Sequence, residues 1–177
     1  MAPKRPHGAG ALDETDLSPV PGPQSGLYAA LDLGTNSCRM LIARPDGAGF
    51  SVVDSFSKSV QLGAGLERSG RLSRGSMTRT IHALRICQQK LRKHDVRKMR
   101  LVATEACRRA GNGAAFLDRV RRETGLKLDI IPPQEEARLA VISCAPLGSP
   151  NTHNLLVVDI GGGSTELVWI DLSAVPK

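Results

Sequence analysis

The chain has 177 residues, a formal net charge of +7 and 41% hydrophobic residues, which is typical of a water-soluble protein with one domain, or with one domain and part of another. No apolar run approaches the roughly 20 residues of a membrane span, so neither a membrane protein nor a membrane partner is expected. The four cysteines contain no C-x-x-C pair, which argues against metal clusters and disulfides and indicates a cytoplasmic location. The positive charge favours a polyanionic partner or is a solvated basic surface. Because aromatic residues make up only 3%, nucleic acid is the weaker candidate partner.

The first part of the chain predicts a leader followed by three strands. Residues 1–26 hold five prolines and almost no periodicity, so we expect a disordered leader. Strands are expected over residues 28–33, 38–43 and 50–58, joined by short turns as an antiparallel meander. A glycine-containing loop over residues 60–74 ends this part of the chain.

Helices and strands alternate in the second part. Ser73 is a candidate N-cap, and apolar residues at helical spacing follow it. The expected elements are a helix over 76–93, a strand over 99–103, a helix over 114–123, a strand over 126–131, a helix over 134–144 and a hairpin over 155–172. Three meandering strands followed by alternating helices and strands predict an α/β fold, with a mixed five-stranded sheet and helices on both faces.

One short motif occurs twice. Residues 32–37 read Asp-Leu-Gly-Thr-Asn-Ser, and residues 159–166 read Asp-Ile-Gly-Gly-Gly-Ser-Thr-Glu, each between two apolar runs. A turn of small residues lets backbone N–H groups point at a phosphate, and Ser or Thr hydroxyls add donors. A tight hairpin explains either motif alone, but two copies favour two half-sites that face one polyanion. The candidate phosphate-binding residues in the motifs are Gly34, Thr35, Asn36, Ser37, Gly161, Gly162, Gly163, Ser164 and Thr165.

An aspartate stands at the head of each turn. A carboxylate is too negative to bind phosphate directly, so Asp32 and Asp159 make sense as Mg²⁺ ligands or as groups that orient water. Mg²⁺ is therefore the expected cofactor.

The paired motifs resemble the phosphate-binding hairpins of the actin, sugar-kinase and heat-shock ATPase superfamily. Within it, the chain is similar to the Ppx/GppA family of exopolyphosphatases and guanosine pentaphosphate phosphohydrolases over residues 28–170. Further matching motifs are Leu-Gly-Ala-Gly-Leu at 62–66, Ala-Thr-Glu-Ala-Cys-Arg at 103–108 and Glu-Glu-Ala-Arg-Leu at 135–139. The resemblance implies a ribonuclease H-like (actin-like ATPase) domain over residues 27–148. Residues 153–177 would be the first hairpin of an incomplete second domain.

The resemblance also implies an activity and roles for individual residues. The reaction would be hydrolysis of a terminal phosphoanhydride bond, in inorganic polyphosphate or in guanosine pentaphosphate (pppGpp), with Mg²⁺ required. Glu105 resembles the family position that activates the attacking water, and Glu136 resembles a second acidic residue lining the site. Glu135 is adjacent, and the sequence does not decide which of the two glutamates points inward. Arg108, one helical turn past Glu105, could contact a phosphate or face solvent.

The sequence is compatible with several functions. The chain could be a Ppx/GppA-type hydrolase, or a catalytically inactive phosphate- or polyanion-binding remnant of the same fold. A kinase of the same superfamily and a basic nucleic-acid-binding protein are weaker alternatives, and the second leaves the two hairpins unexplained. Because the second hairpin begins a second domain in this superfamily, we expect a truncated chain, a homodimer, or a hairpin that packs back on the first domain.

Overall fold

The computed structural model describes residues 26–47, 49–144, 147–149 and 151–171. Nearly all of the predicted leader and the end of the predicted second hairpin lie outside these residues. The strands are β1 (Leu27–Leu33), β2 (Ser37–Asp46), β3 (Gly49–Ser59), β4 (Val96–Ala103), β5 (Asp129–Ile130), β6 (Asn154–Ile160) and β7 (Thr165–Asp171). The helices are α1 (Leu66–Ser69), α2 (Arg74–Lys93), α3 (Glu105–Arg109), α4 (Gly113–Thr124) and α5 (Pro133–Cys144).

The first five strands form one mixed sheet in the order β3-β2-β1-β4-β5. β1, β2 and β3 are the expected antiparallel meander, and β4 and β5 add to it in parallel with β1. Parallel neighbours need crossover connections, and here α2 leads into β4 while α4 leads into β5. The predicted α/β class and mixed five-stranded sheet are confirmed. This topology brings the carboxyl ends of β1, β4 and β5 to one edge of the sheet.

The main core lies between one face of this sheet and the helices α2 and α4, which contact each other. Its most deeply buried large side chains include Leu31, Leu33, Ile42, Ile81, Leu84, Phe116 and Val120. Burying each such side chain contributes about 1.5–3 kcal/mol relative to leaving it exposed. Residues of β1 alternate with these core positions, so Ala30 and Asp32 point to the opposite face. That face is covered only in part, because Ala30 is exposed whereas Val102 is buried.

Two local predictions differ from the structure. The strand expected over 126–131 is only Asp129–Ile130, which pairs with the end of β4. Leu126 and Leu128 are buried, but alternating burial shows only that the chain packs against the core and not that it pairs with a neighbouring strand. The loop expected over 60–74 contains the short helix α1, which lies between two glycines of left-handed conformation.

The second hairpin is a separate two-stranded sheet of β6 and β7. Both strands contact α5, so the hairpin lies against the last helix of the larger unit. Val157 is buried on the face of the hairpin that contacts α5, whereas Leu167 and Trp169 on the opposite face of the hairpin are about two-thirds exposed. The domain boundary near residue 148 stays a prediction. No helix in the described part of the chain is both long and apolar enough to cross a bilayer.

Candidate active site

The two repeated motifs form two turns with the same hydrogen bond. The N–H of Gly34 donates to the carbonyl oxygen of Ser37 at 2.9 Å, and the N–H of Gly161 donates to that of Ser164, also at 2.9 Å. Each turn joins two antiparallel strands, β1 to β2 and β6 to β7. The sequence repeat is therefore also a repeat of local structure.

The two turns touch each other. A Cβ atom added to Gly162 would lie 2.8 Å from Cβ of Asn36, and one added to Gly163 would lie 2.7 Å from Oγ1 of Thr35. Contacts that short do not occur between real side chains, so both positions need glycine for the turns to meet. Close approach of the two turns is thus the reason for Gly162 and Gly163 in the second motif.

A cavity of about 360 Å³ lies where the turns meet, at the carboxyl edge of the sheet. In open α/β sheets this edge is the usual ligand site. The predicted site residues that line the cavity are Asp32, Gly34, Thr35, Asn36, Ser37, Glu105, Glu136, Asp159, Gly161, Gly162, Gly163 and Ser164. Arg108, Glu135 and Thr165 do not line it.

Glu136, and not Glu135, is the glutamate of α5 that lines the cavity. Glu135 instead accepts two hydrogen bonds from the guanidinium of Arg138, at 2.8 and 2.9 Å. This pairing lowers the pKa of Glu135, with the hydrogen bond from Arg138 as the main cause. Adjacent residues of a helix point in directions about 100° apart, which is why only one of them reaches the cavity.

Arg108 links the two acidic candidates. Its Nε and Nη2 atoms donate to Oε2 of Glu105 at 3.1 and 2.7 Å, and Nη2 also donates to Oε2 of Glu136 at 3.2 Å. Its Nη1 donates to the carbonyl oxygen of Ile131 at 2.6 Å. Oε1 of Glu105 lies 3.6 Å from Nε of Arg109. Both carboxylate oxygens of Glu105 therefore face arginines, whereas Glu136 accepts one long hydrogen bond from Arg108.

Negative charge is concentrated in the cavity. The pKa of Asp32 is raised, first by its removal from bulk water and next by the charge of Glu136; Arg39 lowers it, and Asp159 adds a smaller increase. These carboxylates therefore act on one another electrostatically across the cavity. In the part of the chain that the structure describes, no three acidic, histidine or cysteine side chains are close enough to hold a metal ion together. A site with only one or two carboxylate ligands suits Mg²⁺, because this ion usually completes its coordination with water molecules and phosphate oxygens.

Sequence reasoning missed three polar residues that line the cavity, namely Arg39, Thr104 and Glu166. Arg39 is the cross-strand partner of Asp32, and Glu166 is the cross-strand partner of Asp159. Directly opposed residues of a hairpin share a face, so the turn register would have identified both. No local sequence pattern identifies Thr104. It follows the end of β4 and lines the cavity because β4 is the neighbour of β1 in the sheet.

The family model of the Ppx/GppA phosphatase family matches residues 41–177. The chain belongs to the Ppx/GppA phosphatase family.

Three relatives illustrate the similarity to this family. A guanosine-5′-triphosphate,3′-diphosphate pyrophosphatase of Photobacterium profundum is 37% identical over 146 residues, which cover 82% of this chain and 29% of the relative. The solved Aquifex aeolicus PPX-GPPA enzyme is 36% identical with a TM-score of 0.74, over 82% of this chain and 48% of that one. A solved exopolyphosphatase from Cytophaga hutchinsonii is 26% identical with a TM-score of 0.75, over 82% and 46%.

The predicted fold family is confirmed by these Ppx/GppA structures. The chain spans about half the length of the solved relatives and less than a third of the curated one.

Proposed function

We propose that the cavity binds the terminal phosphates of pppGpp or inorganic polyphosphate and hydrolyses the last phosphoanhydride bond. The observation that carries the proposal is the contact between the two glycine turns beside Glu136. Their backbone N–H groups and the hydroxyls of Thr35, Ser37 and Ser164 are donors suited to phosphate oxygens. The names of the relatives supply both substrates, since one is a guanosine-5′-triphosphate,3′-diphosphate pyrophosphatase and another an exopolyphosphatase.

Glu136 is our candidate for the carboxylate that orients the attacking water and accepts its proton. Phosphoryl transfer needs an aligned nucleophile more than covalent chemistry from the protein. Glu136 lines the cavity and has carboxylate lone pairs beyond its one hydrogen bond from Arg108. Glu105, the residue that family resemblance suggests, is less suited, because arginines face both of its oxygens.

The proposal extends to the remaining predicted ligands. Asp32 and Asp159 would each supply one carboxylate to Mg²⁺, which when bound would neutralise charge on the transferred phosphate. Arg39 would contact a phosphate, because it is the single cationic side chain among the described residues that line the cavity. Arg108 can contact a phosphate only if it gives up one of its present acceptors. A cytoplasmic location and a possible homodimer remain proposals.

Phosphate release from pppGpp and from polyphosphate, each with Mg²⁺, tests the proposal. We expect Glu136→Gln to lower kcat about 10²-fold or more, since general bases typically contribute 10²–10⁴-fold. Glu123→Gln is the matched control, because Glu123 pairs with Arg85 and Arg119 away from the cavity. The ratio of kcat/KM for the two substrates identifies the preferred one. If the wild-type chain releases no more phosphate than Glu136→Gln, the chain is the inactive phosphate-binding alternative.

A further inference from the structure

A second cavity, of about 340 Å³, lies behind the glycine turns, and we call it the rear cavity. It shares Thr35, Glu105 and the Gly162–Gly163 pair with the front cavity described above. The side chains that line the rear cavity and not the front one are Leu66, Glu67 and Arg68 of α1 and Arg109 of α3. The rear cavity therefore adjoins the front cavity along these four shared residues and adds two arginines to the lining.

Thr35 lines both cavities and packs closely against two glycines. A Cβ atom on Gly163 would lie 2.7 Å from Oγ1 of Thr35, and one on Gly63 would lie 2.4 Å from its Cγ2. The threonine side chain thus fills the space between two glycines from different segments. This contact explains the glycine at position 63 of the Leu-Gly-Ala-Gly-Leu motif, whereas Gly65 adopts a left-handed backbone conformation before α1.

The two cavities differ in their charge. Within the described part of the chain, five carboxylates and one guanidinium line the front cavity, whereas two carboxylates and two guanidiniums line the rear one. An oxyanion is therefore repelled less in the rear cavity than in the front one. Nε of Arg109 lies 3.6 Å from Glu105, beyond hydrogen-bond distance, and its side chain is 49% exposed. Its N–H groups are thus accessible to an anion from solvent.

We propose that the rear cavity binds inorganic phosphate through the guanidinium groups of Arg68 and Arg109. The planar N–H fork of arginine matches the spacing of phosphate oxygens. The site would receive the orthophosphate released in the front cavity while the shortened polyanion still occupies that cavity. This role as a product site rests on the proposed function, whereas phosphate binding itself does not depend on turnover.

Equilibrium dialysis of radiolabelled inorganic phosphate against the 177-residue chain, in EDTA, tests the binding step. Without metal the acidic front cavity disfavours phosphate, so binding reports on the rear cavity. We expect the double variant Arg68→Gln/Arg109→Gln to bind about tenfold more weakly or worse, the loss expected for charge-assisted contacts. Arg71→Gln/Arg122→Gln removes the same charge from side chains outside both cavities and is expected to bind like wild type. Circular dichroism checks that every variant is folded.

Two results would overturn the phosphate site. One is wild-type binding that is absent or unchanged in Arg68→Gln/Arg109→Gln. The other is an equal loss in the control pair, which would mean that phosphate senses only the overall charge of the chain.

Inhibition of hydrolysis by added orthophosphate separates this proposal from the proposed function. We expect the inhibition constant for phosphate to rise about tenfold in Arg68→Gln/Arg109→Gln. Hydrolysis with unchanged product inhibition and unchanged phosphate binding would leave the proposed function standing and refute the rear site. Phosphate binding that depends on both arginines in a chain without hydrolysis would support the rear site and refute the proposed function.

Discussion

Nη2 of Arg108 lies 3.2 Å from Oε2 of Glu136, across 28 residues of chain. The contact joins α3, which follows β4, to the first turn of α5, which follows β5. The two side chains are only 18% and 21% exposed, so the pair is largely shielded from water. The same guanidinium holds Glu105, and it therefore fixes both acidic side chains relative to the sheet edge.

Arg108→Lys is expected to lower kcat for phosphate release by about 10- to 100-fold, the scale of loss when a reacting group is misplaced by about 1 Å. Lysine keeps the charge, but one ammonium cannot replace a fork that donates to Glu105, Glu136 and the carbonyl of Ile131 together. The matched control is Arg138→Lys, which makes the same change in the outward pair with Glu135. An unchanged kcat in Arg108→Lys would show that Glu136 does not need this support.

Mg²⁺ is expected to raise the Tm of the wild-type chain, because an ion that binds only the folded state stabilises it. The gain in free energy of unfolding is about 2.7 kcal/mol at a concentration 100 times the Kd. Asp32→Asn should remove most of the Mg²⁺-dependent shift in a thermal melt. Asp118→Asn, a change at an exposed aspartate of α4, should keep it. Equal Mg²⁺ shifts in the two variants would exclude Asp32 as a ligand.

Gly63→Ala is expected to lower the free energy of unfolding by about 1–3 kcal/mol, the usual cost of overpacking. The added methyl group would lie 2.4 Å from Cγ2 of Thr35. Thr35→Ser removes that methyl group, so Thr35→Ser/Gly63→Ala should recover most of the loss in a urea unfolding experiment. Gly75→Ala in α2 is the control, because its nearest neighbour would be the flexible end of Arg79 at 3.6 Å. A double variant no more stable than Gly63→Ala would refute this contact.

Stability should depend on pH through Asp54, which pairs with Lys90 at 2.6 Å and with His94 at 2.9 Å. The hydrogen bond from Lys90, and then that from His94, lowers the pKa of Asp54 to about 2. A carboxyl group whose pKa is lower in the folded state stabilises it above the unfolded pKa of about 3.9 and loses that effect as the pH falls through the folded value. The difference in free energy of unfolding between wild type and Asp54→Asn should therefore shrink between about pH 4 and pH 2. A difference that stays constant over this range would contradict the assignment, and Asp118→Asn controls for loss of one charge.

Local patterns were enough to predict most elements and most of the front cavity. Alternating apolar residues predicted the meander, and apolar residues at helical spacing predicted α2 and α4. An element that buries one face has apolar residues at the period of that element. The paired turns could be predicted from their runs of small residues, because two backbones can approach closely only where the side chains are small. β5 was predicted too long, because burial of Leu126 and Leu128 leaves the same pattern as a paired strand.

Which of the two adjacent glutamates of α5 lines the cavity could be learned only from the tertiary structure. Glu135 and Glu136 are both plausible in sequence, and only the placement of α5 turns Glu136 toward the cavity and Glu135 toward Arg138. Arg108 was predicted to contact phosphate or face solvent, yet its partners include Glu136 and Ile131, which are close only because β4 and β5 are neighbours.

The fold class, the family resemblance and the two glycine turns could be predicted from the sequence, because each depends on residues near one another along the chain. Three relationships could not be predicted: the turns touch, Thr35 lines two cavities, and Arg108 bridges Glu105 and Glu136. Those relationships depend on strand order and on the packing of α5 against the second hairpin. Such distances between remote segments are set by the whole core and leave no periodic trace in the sequence.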